Sequence, residues 1–202
     1  MQEAGTPIRP TRLGVFGGTF DPPHNAHVVL AVSALHQLRL DKLLVTPAGV
    51  PWQKSGTRQI SPAATRLSMA HAAFDPLDQV EVSSIEIDRS GDSYTVDTLE
   101  TLTSDGTELF LLVGADVVPT LSTWHRYNRL AELAHLVIFP RPGFEGAVPP
   151  DGFTYTHLEL PALEISSTNL RHRLKNAEPV AGLLPRRVID SIDADDVYGE
   201  VM

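Results

Sequence analysis

The chain's 202 residues suit one domain, and its 42% hydrophobic content is enough for an ordinary buried core. With no cysteine there can be neither disulfides nor thiolate metal sites, so stability rests on packing and a reducing cytoplasm suits the chain. A formal net charge of −9 excludes the broad basic footprint of a general DNA or RNA binder, while leaving room for a local anion site.

No apolar run reaches the roughly 20 residues that a membrane span needs. Met1 to Arg12 holds two prolines and lacks the apolar centre of a signal peptide, so it reads as a flexible leader. Leu13 to Phe16 is a short apolar strand that runs into Gly17-Gly18. His24 to Leu38 reads as a helix with Val28, Leu30, Ala31, Ala34, Leu35 and Leu38 on one face. Leu43 to Thr46 is a second strand, stopped by Pro47. Ser61-Pro62 opens a helix to about Phe74, with the serine as N-cap. Val80 to Asp88 alternates in part and is expected as a half-exposed strand.

Thr95 to Leu102 is expected as a helix and Leu109 to Val113 as a buried strand ending at Gly114. Arg129 to Ala134 reads as helix, Leu136 to Phe139 as strand, and the Pro- and Gly-rich Arg141 to Gly152 as a surface loop. Thr156 to Leu160 is the expected last strand. Helices follow from about Thr168 and from about Pro185 to Ile192, and Asp193 onward reads as an acidic, solvated tail. There is no internal repeat. Short apolar strands alternating with helices indicate an α/β fold, a parallel sheet covered by helices on both faces, in one domain spanning residues 1–202. Ligands of such folds sit at the carboxyl ends of the strands, where the sheet order reverses.

Three constellations fall at those ends. In Gly17-Gly18-Thr19-Phe20-Asp21-Pro22-Pro23-His24-Asn25-Ala26-His27, two glycines after a strand let backbone N–H groups approach a phosphate. His24 and His27 share a face on the first turn of the following helix, where N–H groups already favour anions. Nothing at suitable spacing adds a third ligand for a metal. In Ile165-Ser166-Ser167-Thr168-Asn169-Leu170-Arg171, hydroxyls and helix-start N–H groups are joined by a guanidinium one turn later. The blander reading is a Ser or Thr cap before a surface arginine. In Gly114-Ala115-Asp116 the acid either bonds a ribose or an amine, or caps a helix. Trp124 stacks on a flat ring or simply fills the core. Tyr94-Thr95-Val96-Asp97-Thr98 adds a polar helix start.

Gly17 to His27 resembles the nucleotidyltransferase signature, a histidine, any residue, a glycine and a histidine after a glycine-rich turn, with Ala26 standing where the family has glycine. Ile165 to Arg171 looks like that superfamily's second signature. With Tyr94 to Thr98, Gly114 to Asp116 and Trp124, the chain resembles the bacterial nicotinate-nucleotide adenylyltransferases from about Leu13 to Ile192. The resemblance implies a Rossmann-like doubly wound fold, ATP and nicotinate mononucleotide as substrates, and magnesium.

Carried over by position, His24, His27, Thr168 and Arg171 would be catalytic. Gly17, Gly18, Thr19, Phe20, Gly114, Asp116, Ser166 and Ser167 would join them around ATP. Tyr94, Thr95, Thr98, Trp124, Arg141 and Lys54 would meet the mononucleotide. Nicotinamide mononucleotide and phosphopantetheine are the alternative acceptors, and a non-catalytic nucleotide sensor is the alternative of another class. No nucleic acid or membrane partner is expected, and a homo-oligomer stays open.

Overall fold

The computed structural model describes residues 9–50, 60–89 and 91–199. Its strands are β1 (Thr11–Gly18), β2 (Lys42–Pro47), β3 (Val80–Val82), β4 (Thr107–Gly114), β5 (Ala134–Phe139) and β6 (Tyr155–His157). Its helices are α1 (Asn25–Gln37), α2 (Ala63–Phe74), α3 (Ile85–Asp88), α4 (Thr95–Leu102), α5 (Tyr127–Leu133), α6 (Ser167–Lys175) and α7 (Arg186–Asp195), with a 3-10 turn over Val118–Thr123. All strands pair in parallel, in the order β3-β2-β1-β4-β5-β6. This is the doubly wound sheet expected. β1 pairs Phe16 with Val45 on one side and with Leu112 on the other. The winding reverses between β1 and β4, and a crevice opens where their carboxyl ends part.

Alternate side chains of each strand serve opposite layers. Phe16, Phe110, Leu112 and Val137 pack with residues of α1, α2, α6 and α7 in one core. Val15, Leu111, Val113 and Ile138 pack with residues of α4 and α5 in the other. Each such side chain, once buried, stabilises the fold by roughly 1.5–3 kcal/mol. Among the described residues no helix is long and apolar enough to cross a membrane.

Several elements depart from expectation for local reasons. The strand expected over Val80–Asp88 pairs only through Val82. Ser84 then accepts the N–H groups of Ile87 and Asp88 on its carbonyl, and its hydroxyl bonds the Asp88 carboxylate at 2.6 Å. This local closure replaces the ladder and forms α3. The last strand ends at His157 rather than Leu160, because the Glu159 N–H is taken by the Gln37 side chain at 3.1 Å. Pro62, not Ser61, is the N-cap of α2, and the Ser61 carbonyl accepts from Arg66 instead. Ala134 opens β5 rather than closing α5.

Of the expected leader, residues 1–8 lie outside the described residues, while Arg9 is paired with Asp41 and Thr11 begins β1. At the other end, Asp193 to Asp195 complete α7 and Tyr198 is buried at 8% exposure, where a solvated tail was expected.

Candidate active site

β1 delivers the chain into the crevice at Gly17-Gly18. A Cβ on Gly18 would stand 2.8 Å from the Phe20 ring, so glycine is required there for Phe20, at φ 50, to fold back inward. Phe20 then packs edge-on against Phe16 and His27, both at 5.2 Å between ring centres. It is 2% exposed, so it acts as the floor of the site more than as an open contact.

His24 is the N-cap of α1, in extended conformation, and its backbone N–H donates to His27 Nδ1 at 3.1 Å. That bond makes Nδ1 an acceptor and leaves the proton of a neutral His27 ring on Nε2. The two imidazoles stack, with centres 3.7 Å apart and planes 17° from parallel. His24 is buried, and its Nδ1 has no partner among the described residues. Burial first, and then the Arg141 charge, lower its pKa from 6.5 to about 4. At neutral pH it is therefore an uncharged ring, able to donate one N–H to an anion.

The head of α6 faces this pair. Ser166 caps the helix by accepting from the Asn169 N–H at 3.2 Å. The Ser167 hydroxyl donates to the Pro22 carbonyl at 2.9 Å, and Arg171 donates to the Asp21 carbonyl at 2.6 Å and to Thr168 Oγ1 at 3.1 Å. The second constellation thus clasps the first. Ser166, Ser167 and Thr168 line the cavity, whereas Arg171 stands behind Thr168 and outside the lining.

At the end of β4, a Cβ on Gly114 would collide with Asp116 Oδ1 and come within 3.2 Å of Arg141 Nε. Asp116 and Arg141 form an ion pair across the opening at 3.5 Å. Of the two readings of Asp116, the helix cap is not seen, since the 3-10 turn that follows has no side-chain cap; the carboxylate stands in the cavity wall paired with Arg141. Tyr94, Thr95 and Trp124 line the far wall, and Trp124 Nε1 is buried with no partner among the described residues. Tyr94 lies against His125 at 4.4 Å between ring centres.

Thr98 does not reach the cavity. It is fully buried, donates to Glu86 Oε1 and accepts from Arg89, both at 3.2 Å. It therefore braces Glu86, whose carboxyl pKa burial raises against the opposing effect of that hydrogen bond. Lys54 lies outside the described residues.

The crevice is a cavity of about 620 Å³, the size that small-molecule sites have. A second cavity, of about 420 Å³, shares His24, His27, Phe139 and Arg141 with it and is walled by Ala26, Leu158 and Leu163. The sequence reading did not point to Leu158 or to Leu160 through Glu164 in that wall, a mainly apolar stretch that matches no phosphate-binding pattern. It also missed Arg66, fully buried on α2, which donates to the carbonyls of Thr19, Gly49 and Ser61, each at 3.0 Å. A lone arginine in an amphipathic stretch looks like a surface residue. Among the described residues no three His, Asp or Glu side chains converge as a metal site.

A strand-end crevice built from paired imidazoles and a hydroxyl-headed helix is the arrangement of a nucleotidyltransferase. Residues 15–173 match the Cytidylyltransferase-like family. A Corynebacterium kroppenstedtii protein named "Probable nicotinate-nucleotide adenylyltransferase" is 39% identical over 192 residues, 93% of this chain and 90% of its own. One of the same name from Streptomyces coelicolor is 40% identical over 187 residues, 90% of this chain and 98% of its own. The chain belongs to the nicotinate-nucleotide adenylyltransferases. In fold it is similar to Plasmodium falciparum nicotinic acid mononucleotide adenylyltransferase complexed with NaAD, with a TM-score of 0.77 at 18% identity, covering 93% of this chain and 97% of that one.

Proposed function

We propose that this chain transfers the adenylyl group of ATP to nicotinate mononucleotide, forming nicotinate adenine dinucleotide and pyrophosphate in NAD biosynthesis. The observation that carries the reading is the stacked His24–His27 pair standing in the wall common to both cavities. A reaction that joins two nucleotides through their phosphates needs its phosphate donors at that junction. ATP would lay its adenine along Ala26 and Leu158 in the smaller cavity and its phosphates across the histidines toward Thr168 and Arg171. The mononucleotide would fill the larger cavity, with its ring at Trp124 and its carboxylate near Tyr94 and Thr95.

An oxygen of the mononucleotide phosphate attacks the α-phosphorus of ATP in line. The bond from that phosphorus to the bridging oxygen breaks, and pyrophosphate leaves with the electron pair. No protein nucleophile is involved, so catalysis is positioning plus stabilisation of developing charge. His24 and His27 donate N–H groups to phosphate oxygens, His24 as a neutral ring with a single N–H to give. The Thr168 hydroxyl and the N–H groups at the head of α6 would receive the leaving phosphates, with the Arg171 charge directly behind Thr168. Gly17 and Gly18 let the backbone approach them. Among the described residues no cluster of His, Asp or Glu would cage a metal, so a magnesium ion would come with ATP and would supply neutralisation of part of that charge.

Pyrophosphate release from magnesium ATP tests this reading, with nicotinate mononucleotide, nicotinamide mononucleotide and phosphopantetheine compared as acceptors. A clear preference for the nicotinate form is expected. Preference for the amide or for phosphopantetheine refutes the substrate assignment, and ATP binding without release for any acceptor refutes catalysis in favour of a sensor.

A further inference from the structure

Behind the β1–α1 loop lies a buried polar group that adenylyl transfer leaves without a task. α7 ends at Asp195, Asp196 turns the chain at φ 46, and Tyr198 is brought back against the core. Its hydroxyl donates to Asp21 Oδ1 at 2.7 Å, across 177 positions of sequence. Asp21 is 1% exposed. Its second oxygen accepts from the Ser61 N–H at 3.4 Å, and its carbonyl is the one held by Arg171 at 2.6 Å. Arg66 feels the Asp21 charge and grips the Thr19 carbonyl, two residues before Asp21.

A tyrosine that only filled space could leave its hydroxyl at the surface, as half-buried tyrosines do. Here the hydroxyl is committed to a buried carboxylate, a charge-assisted bond of the stronger kind. Asp21 sits in the segment that carries the phosphate-binding glycines into α1, and its main chain orients the Arg171 guanidinium, which in turn holds Thr168. Removing the hydroxyl would leave Oδ1 of this 1% exposed carboxylate short of a donor, so that the carboxylate would reorient and shift the Asp21 carbonyl with it.

We propose that Tyr198 is a positioning residue for the triphosphate site: acting through Asp21, it fixes the Thr19–Pro22 loop and the Arg171 guanidinium in the arrangement that receives ATP. The inference rests on the adenylyl-transfer reading for its kinetic test and on ATP binding alone for its second test. In the full chain, Tyr198→Phe keeps the ring and removes one hydroxyl. Varying ATP and nicotinate mononucleotide separately, kcat/KM for ATP should fall about tenfold, the scale of a hydrogen bond to a charged acceptor. The KM for nicotinate mononucleotide should not change, and calorimetric titration with ATP should show about tenfold weaker binding.

Unchanged ATP parameters overturn the proposal. So does a parallel fall in both substrates' parameters and the melting temperature, which marks a general loss of structure. If the wild type binds ATP but releases no pyrophosphate, the functional reading fails, and the calorimetric comparison still decides the role of Tyr198. Should Tyr198→Phe not fold, Asp21→Asn reads the link from its other end. An effect confined to ATP supports the proposal, and an equal effect on both substrates overturns it.

Discussion

Replacing His27 by alanine should separate catalysis from stability. Its Nδ1 accepts the His24 N–H at the head of α1, and losing such a first-turn acceptor costs about 1 kcal/mol. The ring also packs on Phe16 and Phe20, but His27 is only partly buried, so the total loss should stay near 1–2 kcal/mol. Catalysis should suffer more. With Nδ1 engaged, the Nε2 proton is a preorganised donor, and removing one such donor costs about 2.7–4 kcal/mol in the barrier, roughly 100- to 1,000-fold in kcat. Pyrophosphate release at saturating substrates measures the rate, and urea unfolding measures the stability. His27→Asn is the informative companion, since its shorter side chain can still accept the His24 N–H but reaches less far. It should recover stability without recovering rate. An unchanged kcat in His27→Ala, or a rate restored by asparagine, refutes the reasoning.

Burial favours the neutral form of His24, lowering its pKa from 6.5 to about 4, so its stabilising contribution is complete above pH 6.5 and lost as pH falls toward 4. The stability gap between wild type and His24→Asn should therefore shrink or invert by on the order of 3 kcal/mol between pH 7 and pH 4, read by urea unfolding at each pH. Trp124→Ala should raise the KM for nicotinate mononucleotide at least about tenfold, the scale of base–aromatic stacking, with Trp124→Phe close to wild type in steady-state kinetics. Thr98→Val removes the hydroxyl between Glu86 and Arg89 and should destabilise the fold by about 1–3 kcal/mol in urea, with little change in the KM for ATP. Gly114→Ala must push the Asp116 carboxylate aside and open its pair with Arg141. Because that pair is partly exposed, melting should shift by less than about 1 kcal/mol of stability while kcat/KM for ATP falls.

The central strands and long helices were legible because their signal is local. Leu109 to Val113 is an unbroken apolar run, and Leu30, Ala31 and Ala34 repeat at helical spacing. The edge strands were expected but their extents were not legible, since β3 and β6 each keep three residues and end where the Ser84 carbonyl and the Gln37 side chain take the N–H groups that follow. The glycines, both histidines, Ser166 to Thr168, Asp116 and Trp124 all line the crevice, and all but Trp124 stand at a strand end or a helix start, where the sequence carries a local signal. Thr98 misled for a geometric reason. It lies three residues after Thr95 and so on a related face, but one turn deeper, where α4 buries Val96, Thr98 and Leu99. Arg66 and Tyr198 gave no local signal. Their roles come from partners that only the folded chain brings within reach.

The clasp between Asp21 and Arg171 spans 150 residues, and that between Asp21 and Tyr198 spans 177. During synthesis, at about 5–20 residues per second, Asp21 is made roughly 9 to 35 seconds before Tyr198 exists to hold it. Through that interval the Asp21 carboxylate, buried in the finished fold, lacks its Tyr198 donor. On the role proposed for Tyr198, a nascent chain of this protein handles ATP about tenfold less well until that residue has been made and packed. Products truncated before Tyr198, whether from stalled translation or proteolysis, would carry every signature residue, Arg171 included, and still lack the Tyr198 bond to Asp21.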